Sequence, residues 1–350
     1  MRRIVLQSPR SFRTEEVAVP KPAPGEALVR IRKVGICGSD IHLYRHGRIG
    51  DIVITSPLVI GHECMGEVAS VGPGADPALI GKRVAVEPQF FCGKCKWCIA
   101  GKTNVCPAQT FIGLPPRHGA MQEYMAHPAA LLKELPDSVS DEAGVVLEPL
   151  AVALHAVNLV KIRQGQTVVI LGTGVIGTLV LMLLGLYGGV RVICVDVLPE
   201  RLERAGRMGA TTVLAVSGRP NDAVAGIMAL CGPSGADVIF ECAGADDTLW
   251  VMCEVACPAG HVAVVGTHPD NRISFSSGSA RRKGLTLRFV RRSLNALPDC
   301  IRLAASGAVK PEAIVTHTFG AGQAAKAYET VDGYRDGVLK AVLDMERWDT

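Results

Sequence analysis

The chain has 350 residues, 48% of them hydrophobic, and a formal net charge of +4 at pH 7. This length and composition predict a globular protein of about two domains. The charge is mild and spread along the chain, so neither nucleic acid nor an anionic membrane is an expected partner. The best apolar run, residues 178–187, is too short to span a membrane, and we expect a cytoplasmic location.

Up to about residue 150, short strands separated by Gly and Pro turns predict a compact β-rich domain. From Gln166 the pattern alternates between strand and helix, which predicts a doubly wound parallel sheet. A later helix over 297–306 and a strand over 340–344 lack a fingerprint of their own, and we assign them to the first domain. The other predicted strands are 27–33, 65–71, 83–86, 121–126, 167–171, 191–195, 238–241, 261–265 and 285–289, and further helices begin near Val175 and Pro199.

Four cysteines fall within one short stretch of the first domain, at Cys92, Cys95, Cys98 and Cys106. Two C-x-x-C steps and a short return are typical of a closed metal site, and disulfides are not expected in a chain without secretory features. Thiolates hold Zn²⁺ tetrahedrally, and a shell of four sulfurs leaves no position for substrate, so we predict a structural zinc. An iron–sulfur cluster is the alternative metal group.

A glycine fingerprint, G-x-G-x-x-G, directly follows the first strand of the predicted parallel sheet. Its glycines are Gly172, Gly174 and Gly177, and Val175 and Ile176 lie between the second and the third. The glycines permit a tight turn and close approach of a pyrophosphate, which the amino terminus of the following helix stabilises. The segment therefore predicts a dinucleotide site.

An acidic residue, Asp196, ends the next predicted strand. A carboxylate there can accept hydrogen bonds from ribose hydroxyls and would repel a 2′-phosphate, so NAD is favoured over NADP. Arg201 follows five residues later and could stack on adenine or assist a phosphate. A structural alternative for Asp196 is capping of the helix that begins near Pro199.

Two further segments concentrate metal-binding side chains: residues 37–42, CGSDIH, and residues 61–63, GHE. A third, LEPLAVALHA, contains Glu148. A histidine or cysteine standing alone in a loop is more often packed or solvated than a ligand, so no single segment identifies a site.

In combination, these segments resemble the zinc-dependent medium-chain dehydrogenases. The likeness is to the polyol branch with sorbitol (L-iditol) and xylitol dehydrogenases, near threonine 3-dehydrogenase. The segments that carry it are CGSDIH, GRIG at 47–50, GHE, the four-cysteine lobe, EPLAVALHA and GTGVIG. The resemblance implies a Rossmann NAD-binding domain over 153–290, a GroES-like catalytic domain over 1–152 and 291–350, and a structural zinc lobe at 90–107. It also implies a homotetramer, with a homodimer as the alternative.

The resemblance further implies a second, catalytic zinc bound by Cys37 and His62. Glu63 matches the acidic ligand of sorbitol-type enzymes, and Glu148 is expected to bind directly or through water, so the choice between the two glutamates stays open. A zinc with three protein ligands keeps a position for substrate and acts as a Lewis acid. Ser39 resembles the relay hydroxyl of the family, and His42 resembles the histidine that passes the proton to solvent.

The substrate implied by the resemblance is a polyol whose secondary alcohol is oxidised to a ketose. Arg292 matches a substrate-facing arginine by its spacing to Asn295 and Pro298. Ser293 and Leu43 depart from the sorbitol-type pattern, which has aromatic residues at both positions. A threonine 3-dehydrogenase-like enzyme and an aminocyclitol or inositol dehydrogenase are therefore alternatives, and a non-catalytic NAD(H)-binding protein is an alternative from another class.

Overall fold

The computed structural model describes residues 1–268 and 272–348. The chain divides into two units: the split unit, Met1–Glu148 with Leu297–Thr350, and the central unit, Pro149–Ala296. The sequence-based prediction set the corresponding junctions at 152 and 290. Residues 269–271 and 349–350 of the predicted domains lie outside the described residues.

Strands dominate the split unit, whereas strands and helices alternate in the central unit. The strands in chain order are β1 (Arg2–Ser8), β2 (Ser11–Glu16), β3 (Glu26–Gly35), β4 (Arg48–Ile49), β5 (Ile52–Val53), β6 (Glu63–Val71), β7 (Arg83–Val86), β8 (Gln89–Phe90), β9 (Thr110–Phe111), β10 (Tyr124–Pro128), β11 (Leu132–Glu134), β12 (Thr167–Leu171), β13 (Arg191–Asp196), β14 (Thr212–Ala215), β15 (Ala236–Glu241), β16 (Ala256–Val264), β17 (Thr286–Phe289), β18 (Val315–Gly320) and β19 (Lys340–Asp344). The helices in chain order are α1 (Gly38–His46), α2 (Lys96–Ile99), α3 (Asp141–Val160), α4 (Val175–Leu184), α5 (Pro199–Arg207), α6 (Pro220–Cys231), α7 (Asp246–Val255), α8 (Ser277–Lys283), α9 (Leu297–Ala305) and α10 (Ala324–Asp332).

The split unit is organised around a seven-stranded sheet with the order β11-β7-β6-β3-β19-β18, and β10 pairs with β3. Alternate residues of β3, Ala27, Val29 and Ile31, are buried in its core because successive side chains of a strand face opposite sides. The C-terminal tail supplies β18 and β19, and β19 pairs antiparallel with β3. This pairing makes the C-terminal tail part of the same sheet as β3.

The central unit contains a six-stranded parallel sheet with the order β14-β13-β12-β15-β16-β17. Its strands are buried on both faces; Ile170, Ile193 and Phe240 are each 0% exposed. Strand order reverses direction between β12 and β15, and such a switch point opens a crevice at the carboxyl ends of the strands. The predicted α/β class, with a doubly wound sheet and a separate β-rich domain, is confirmed.

Helix α3 is the one helix in the described part of the chain that is long and apolar enough to cross a membrane. The sequence analysis did not single it out. In the structure, 78% of its apolar window is buried inside the protein, as expected for a core helix. Its length and composition are therefore weak evidence for a membrane span.

Three local predictions differ from the structure, and one of them is the strand predicted over 261–265, which spans Ala256–Val264. The strand predicted over 121–126 begins at Tyr124, because Gln122 forms a single bridge with Arg3 before the chain joins β3. The segment CGSDIH, treated as a loop in the sequence, forms the start of α1. Gly47 ends this helix in the left-handed conformation, with φ at 64°, which glycine adopts without the strain of a Cβ atom.

Candidate functional site

The first part of the site is the amino terminus of α1, which follows directly after β3. Cys37 is the N-cap residue of this helix, and its backbone N–H donates to Asp40 Oδ2 at 3.1 Å. The Asp40 side chain is fully buried. A carboxylate in the first turn satisfies a free N–H group of the helix and so fixes where the Cys37 thiol lies.

Strand pairing brings two more donors to Cys37. His62 immediately precedes β6, and Glu63 begins β6 opposite Gly35, the last residue of β3. Ligand atoms of Cys37, His62 and Glu63 all lie within 4.8 Å of one another. His62 and Glu63 are 5% and 1% exposed. The three residues, called here the Cys–His–Glu cluster, form a compact donor set in which His62 and Glu63 are buried and Cys37 is partly buried.

His62 is oriented by a carboxylate. Its Nδ1 lies 3.4 Å from Asp40 Oδ1, and neither atom has a hydrogen-bond partner by strict geometry among the described residues. Burial opposes charge on the imidazole, but Asp40 and Cys37 outweigh it and hold the pKa of His62 well above its usual value. A pocket that attracts a proton this strongly is suited to a cation, and a carboxylate behind a histidine is common at zinc sites.

The role of Asp40 beside His62 was missed by the sequence analysis. The structure shows that it caps α1 and also faces the histidine of the cluster. Its position three residues after a candidate ligand is the only local signal, because the contact with His62 depends on tertiary structure.

A buried lysine, Lys340, also escaped the sequence analysis. Its ammonium forms an ion pair with Glu63 Oε2 and donates to the carbonyl of Ile36 at 2.9 Å, and both side chains are 1% exposed. Gly35 makes room for this pair, because a Cβ atom there would collide with the Glu63 carboxylate and approach Lys340 Cε to 3.0 Å. Glu63 is thus held as a carboxylate beside Cys37 and His62.

Glu148, the second candidate glutamate, lies in α3 and is partly buried. It is not a member of the compact group that Cys37, His62 and Glu63 form in the described chain. Desolvation is the largest cause that raises the pKa of Glu148, the carboxylate of Glu63 raises it as well, and His62 lowers it; together the surroundings bring this pKa to about 7. Glu148 therefore lies within electrostatic range of the cluster but outside its closest contacts.

The two candidate relay residues share α1. Ser39 and His42 are three residues apart, a spacing that places side chains on the same side of a helix. Both are partly buried. Burial, assisted by Arg45 and His46, lowers the pKa of His42, so its imidazole is neutral at physiological pH and able to accept a proton.

The four cysteines of the predicted lobe form a second cluster. All four are free thiols, and their sulfurs lie within 4.8 Å of one another. The Sγ atoms of Cys92 and Cys98 are 3.9 Å apart, those of Cys95 and Cys106 are 3.9 Å apart, and those of Cys106 and Cys92 are 3.6 Å apart. A tetrahedron with Zn–S bonds of about 2.3 Å has edges of about 3.8 Å, so these separations fit zinc.

Backbone N–H groups support this four-cysteine cluster. The N–H groups of Cys95 and Cys98 donate to sulfurs of the cluster at 3.4 Å. The backbone N–H groups of Lys94 and Cys95 lower the pKa of Cys92 to about 6. Thiolate, the form that binds metal, is thereby stabilised at neutral pH.

The glycine fingerprint occupies the predicted turn between β12 and α4 in the central unit. Gly172 has φ at 89°, and Gly174 is the N-cap of α4, whose first residues are Val175 and Ile176. A Cβ atom on Gly177 would collide with the carbonyl oxygen of Gly172, which explains the third glycine. The helix amino terminus is thus open to an anion.

Asp196 holds this turn in place. Its Oδ2 accepts from the backbone N–H of Thr173 at 2.7 Å and from the Thr173 hydroxyl at 3.0 Å, while Oδ1 accepts from Leu198 N–H at 3.0 Å. Arg201 Nη1 lies 3.8 Å from Asp196 Oδ2. The structure therefore brings the predicted cofactor residues close together. These are the residues of the fingerprint, Asp196 and Arg201.

Comparison with known proteins identifies the family. Residues 23–137 match the alcohol dehydrogenase GroES-like domain, and residues 175–306 match the zinc-binding dehydrogenase domain. The chain is 34% identical to sorbitol dehydrogenase of Bacillus subtilis strain 168, over 98% of its own length and 97% of that protein. The chain belongs to the zinc-dependent medium-chain dehydrogenases, in the polyol branch.

Two solved structures similar to this dehydrogenase contain a bound cofactor. An alcohol dehydrogenase from Escherichia coli CFT073 in complex with NADH is 30% identical, with a TM-score of 0.91 and 99% of both chains covered. A zinc-binding dehydrogenase from Sinorhizobium meliloti 1021 bound to NADP is 29% identical, with a TM-score of 0.89 and 98% of both chains covered. The protein is an oxidoreductase of the alcohol dehydrogenase type.

The donor sets of this dehydrogenase fit zinc. Four thiol sulfurs at tetrahedral separations suit a closed site, whereas Cys37, His62 and a carboxylate form a mixed set with fewer donors. The predicted substrate residue, Arg292, belongs to the central unit, in the segment after β17, with φ at 52°. Its role toward substrate stays a prediction.

Proposed function

We propose that this dehydrogenase reversibly oxidises a secondary alcohol of a polyol, of the sorbitol, L-iditol, xylitol or galactitol type, to a ketose with NAD as hydride acceptor. We further propose two zinc ions per chain, one in each cysteine-containing cluster. The observation that carries this proposal is the buried Cys–His–Glu cluster in a chain that also has a dinucleotide fingerprint. Oxidation of an alcohol by NAD with zinc as a Lewis acid uses a metal site and a dinucleotide site together.

Zinc bound at this cluster would act as a Lewis acid that lowers the pKa of an alcohol. The residues around the cluster prepare it for that task. Asp40 holds the imidazole of His62 in one orientation, and the pair of Glu63 and Lys340 keeps a carboxylate in place without adding net charge. Which of Glu63 and Glu148 completes the ligand set stays open.

Ser39 and His42 are proposed to move the proton that the alcohol loses. A hydroxyl can donate and accept at the same time, so Ser39 suits a bridging position. His42, whose pKa burial lowers, is neutral and able to accept at physiological pH.

NAD is proposed over NADP because of Asp196. Its carboxylate is fixed by Thr173 and Leu198 and would meet a 2′-phosphate with like charge. Arg201 Nη1 lies 3.8 Å from that carboxylate. Arg201 would favour NADP only if its side chain moved away from Asp196. Measuring kcat/KM with each cofactor tests the preference directly.

A substrate panel followed at the nicotinamide absorbance tests the proposed reaction. Sorbitol, L-iditol, xylitol and galactitol are compared with inositols, an aminocyclitol and L-threonine, each with NAD and with NADP. We expect the highest kcat/KM with an acyclic polyol and NAD. Turnover of L-threonine or of a cyclitol alone would replace the polyol assignment, and binding of NADH without turnover of any alcohol would favour a non-catalytic protein.

The same family membership leads us to propose a homotetramer in the cytoplasm, with a homodimer as the alternative. The free state of the twelve cysteines supports a reducing compartment. Light scattering of the purified protein distinguishes the two assemblies.

A further inference from the structure

A buried histidine, His268, lies in the central unit beyond the carboxyl end of β16. Its side chain is 6% exposed, yet neither ring nitrogen has a hydrogen-bond partner among residues 1–268 and 272–348. Two carboxylates flank the ring: Glu241 Oε2 lies 3.8 Å from Nε2, and Asp246 Oδ1 lies 3.6 Å from Nδ1. Buried polar groups are nearly always hydrogen-bonded, so this imidazole requires an explanation.

Of the two carboxylate oxygens of Glu241, only one has hydrogen-bond partners among the described residues. Its Oε1 accepts from the N–H groups of Ala243 and Gly244 and from the Thr248 hydroxyl, at 3.0, 2.8 and 2.8 Å. Its Oε2 is buried and has no hydrogen-bond partner in the described part of the chain. Glu241 Oε2 and His268 Nε2 therefore face each other without a direct hydrogen bond, and Nδ1 faces Asp246 in the same way, an arrangement that costs free energy unless something completes it.

The location of this pair is the crevice of the parallel sheet. In neighbouring strands, Glu241 is level with Leu171 of β12 and with Val264 of β16. A Cβ atom on Gly172 would lie 2.8 Å from the backbone nitrogen of Ala243, so the turn that Glu241 stabilises packs directly on the glycine fingerprint. His268 thus belongs to the switch-point edge, where doubly wound sheets bind their ligands.

The crevice has two halves with different tasks. Asp196, at the end of β13, belongs to the half formed by β12, β13 and β14, whose acidic residue contacts the adenine-side ribose. His268 and Glu241 belong to the half formed by β15, β16 and β17. A doubly wound sheet binds one mononucleotide in each half, so this second half serves the nicotinamide mononucleotide.

We propose that His268 is a cofactor-binding residue that donates a hydrogen bond to the nicotinamide half of the dinucleotide, with Glu241 and Asp246 orienting its ring. The inference rests on the proposed dinucleotide binding and adds a residue that the sequence motifs do not include. An imidazole N–H matches the carboxamide oxygen or a ribose hydroxyl as acceptor, and the second nitrogen faces a carboxylate.

Comparison of two ligands tests this assignment. ADP-ribose contains the adenosine and both phosphates of NADH but no nicotinamide, so only NADH can lose the proposed contact. We expect His268→Ala to weaken NADH binding about tenfold, as loss of one hydrogen bond would, and to change the Kd of ADP-ribose by less than about twofold, both measured by calorimetry. His268→Gln, which keeps a donor, should recover part of the loss.

Two controls separate the outcomes. His261→Ala removes a histidine within β16, the strand that precedes His268, and should leave both affinities unchanged, whereas Asp196→Ala should weaken both. Equal weakening of NADH and ADP-ribose by His268→Ala would assign His268 a structural role and overturn the inference. Unchanged NADH affinity in both His268 variants would overturn it too. Failure of the unmodified protein to bind either ligand would instead refute the proposed dinucleotide function.

Discussion

The two clusters of metal-binding side chains in this dehydrogenase are built differently. The four-cysteine cluster takes its donors from one short segment, and three of its sulfurs lie in partly exposed residues. The Cys–His–Glu cluster takes its donors from the N-cap residue of α1, from the residue before β6 and from β6 itself, and its His and Glu are almost fully buried. The donors of the four-cysteine cluster are of one type and close together in sequence. The donors of the Cys–His–Glu cluster are of three types, and the fold brings them together.

The groups that contact the two clusters also differ in whether they come from the same segment or from distant ones. In the described part of the chain, backbone N–H groups donate to the sulfurs of the four-cysteine cluster. Side chains from distant segments, Asp40 and Lys340, support the histidine and the glutamate of the other cluster. Backbone support maintains a structure, whereas dedicated side chains fix the orientation and charge that chemistry requires. We therefore expect substitutions at the two clusters to change different properties.

Removal of a donor from the Cys–His–Glu cluster should have the largest effect. Cys37→Ser should lower kcat/KM at least about 1,000-fold, since loss of the metal removes several kcal/mol of transition-state stabilisation. The Kd of NADH should be unchanged, because the glycine fingerprint belongs to the other unit. Cys300→Ala, a buried cysteine outside both clusters, is the matched control and should stay active. Near-normal turnover of Cys37→Ser would refute the catalytic role of the cluster.

Loss of the buried lysine should have the next largest effect. Lys340→Met leaves the Glu63 carboxylate buried without its partner and should lower the free energy of unfolding by about 3–5 kcal/mol in urea denaturation. Adding Glu63→Gln to Lys340→Met should recover much of that loss, because the unpaired charge is removed. A change below about 1 kcal/mol in Lys340→Met would show that the ion pair does not hold Glu63 in place.

Weakening of the support for His62 should have a moderate effect. Asp40→Asn keeps an acceptor for the Cys37 N–H but removes the charge facing His62, and should reduce zinc affinity about 10- to 100-fold in chelator competition. Asp76→Asn is a suitable control, since Asp76 also caps a helix through its side chain, the short 3-10 helix Pro77–Leu79, but has an exposed position. Equal zinc affinity in Asp40→Asn and the control would mean that Asp40 is only a cap.

Disruption of the four-cysteine cluster should affect kcat least. Cys95→Ser should lower the temperature of unfolding and release one zinc, because structural zinc contributes folding free energy. At a temperature where the variant is folded, kcat should change less than about threefold, since this site has no open position for substrate. A loss of kcat as large as that of Cys37→Ser would erase the functional distinction between the clusters.

The same contrast explains what the sequence could predict. The four-cysteine cluster could be predicted from the sequence because the close spacing of its residues is typical of a metal site. These residues are Cys92, Cys95, Cys98 and Cys106. The dinucleotide fingerprint of Gly172, Gly174 and Gly177 could be predicted because its strand, turn and helix follow one another along the chain. Cys37 and His62 gained meaning only through resemblance to a family, since each occurs in an unremarkable segment.

Lys340 and His268 could not be found from sequence patterns. Lys340 lies 277 residues from Glu63, and strand pairing across the sheet is what brings the two together. His268 stands out only because its ring nitrogens are buried beside two carboxylates, which no spacing reveals. Gly35 shows the same limit: its importance lies in the space that it leaves for a pair formed by other strands.

The zinc content of the purified enzyme, measured together with its activity, tests the central claim most directly. Elemental analysis of an actively turning-over preparation should give two zinc ions per chain, one for each cluster. The result that would contradict the account is full alcohol dehydrogenase activity in the unmodified protein when its zinc content is well below one ion per chain.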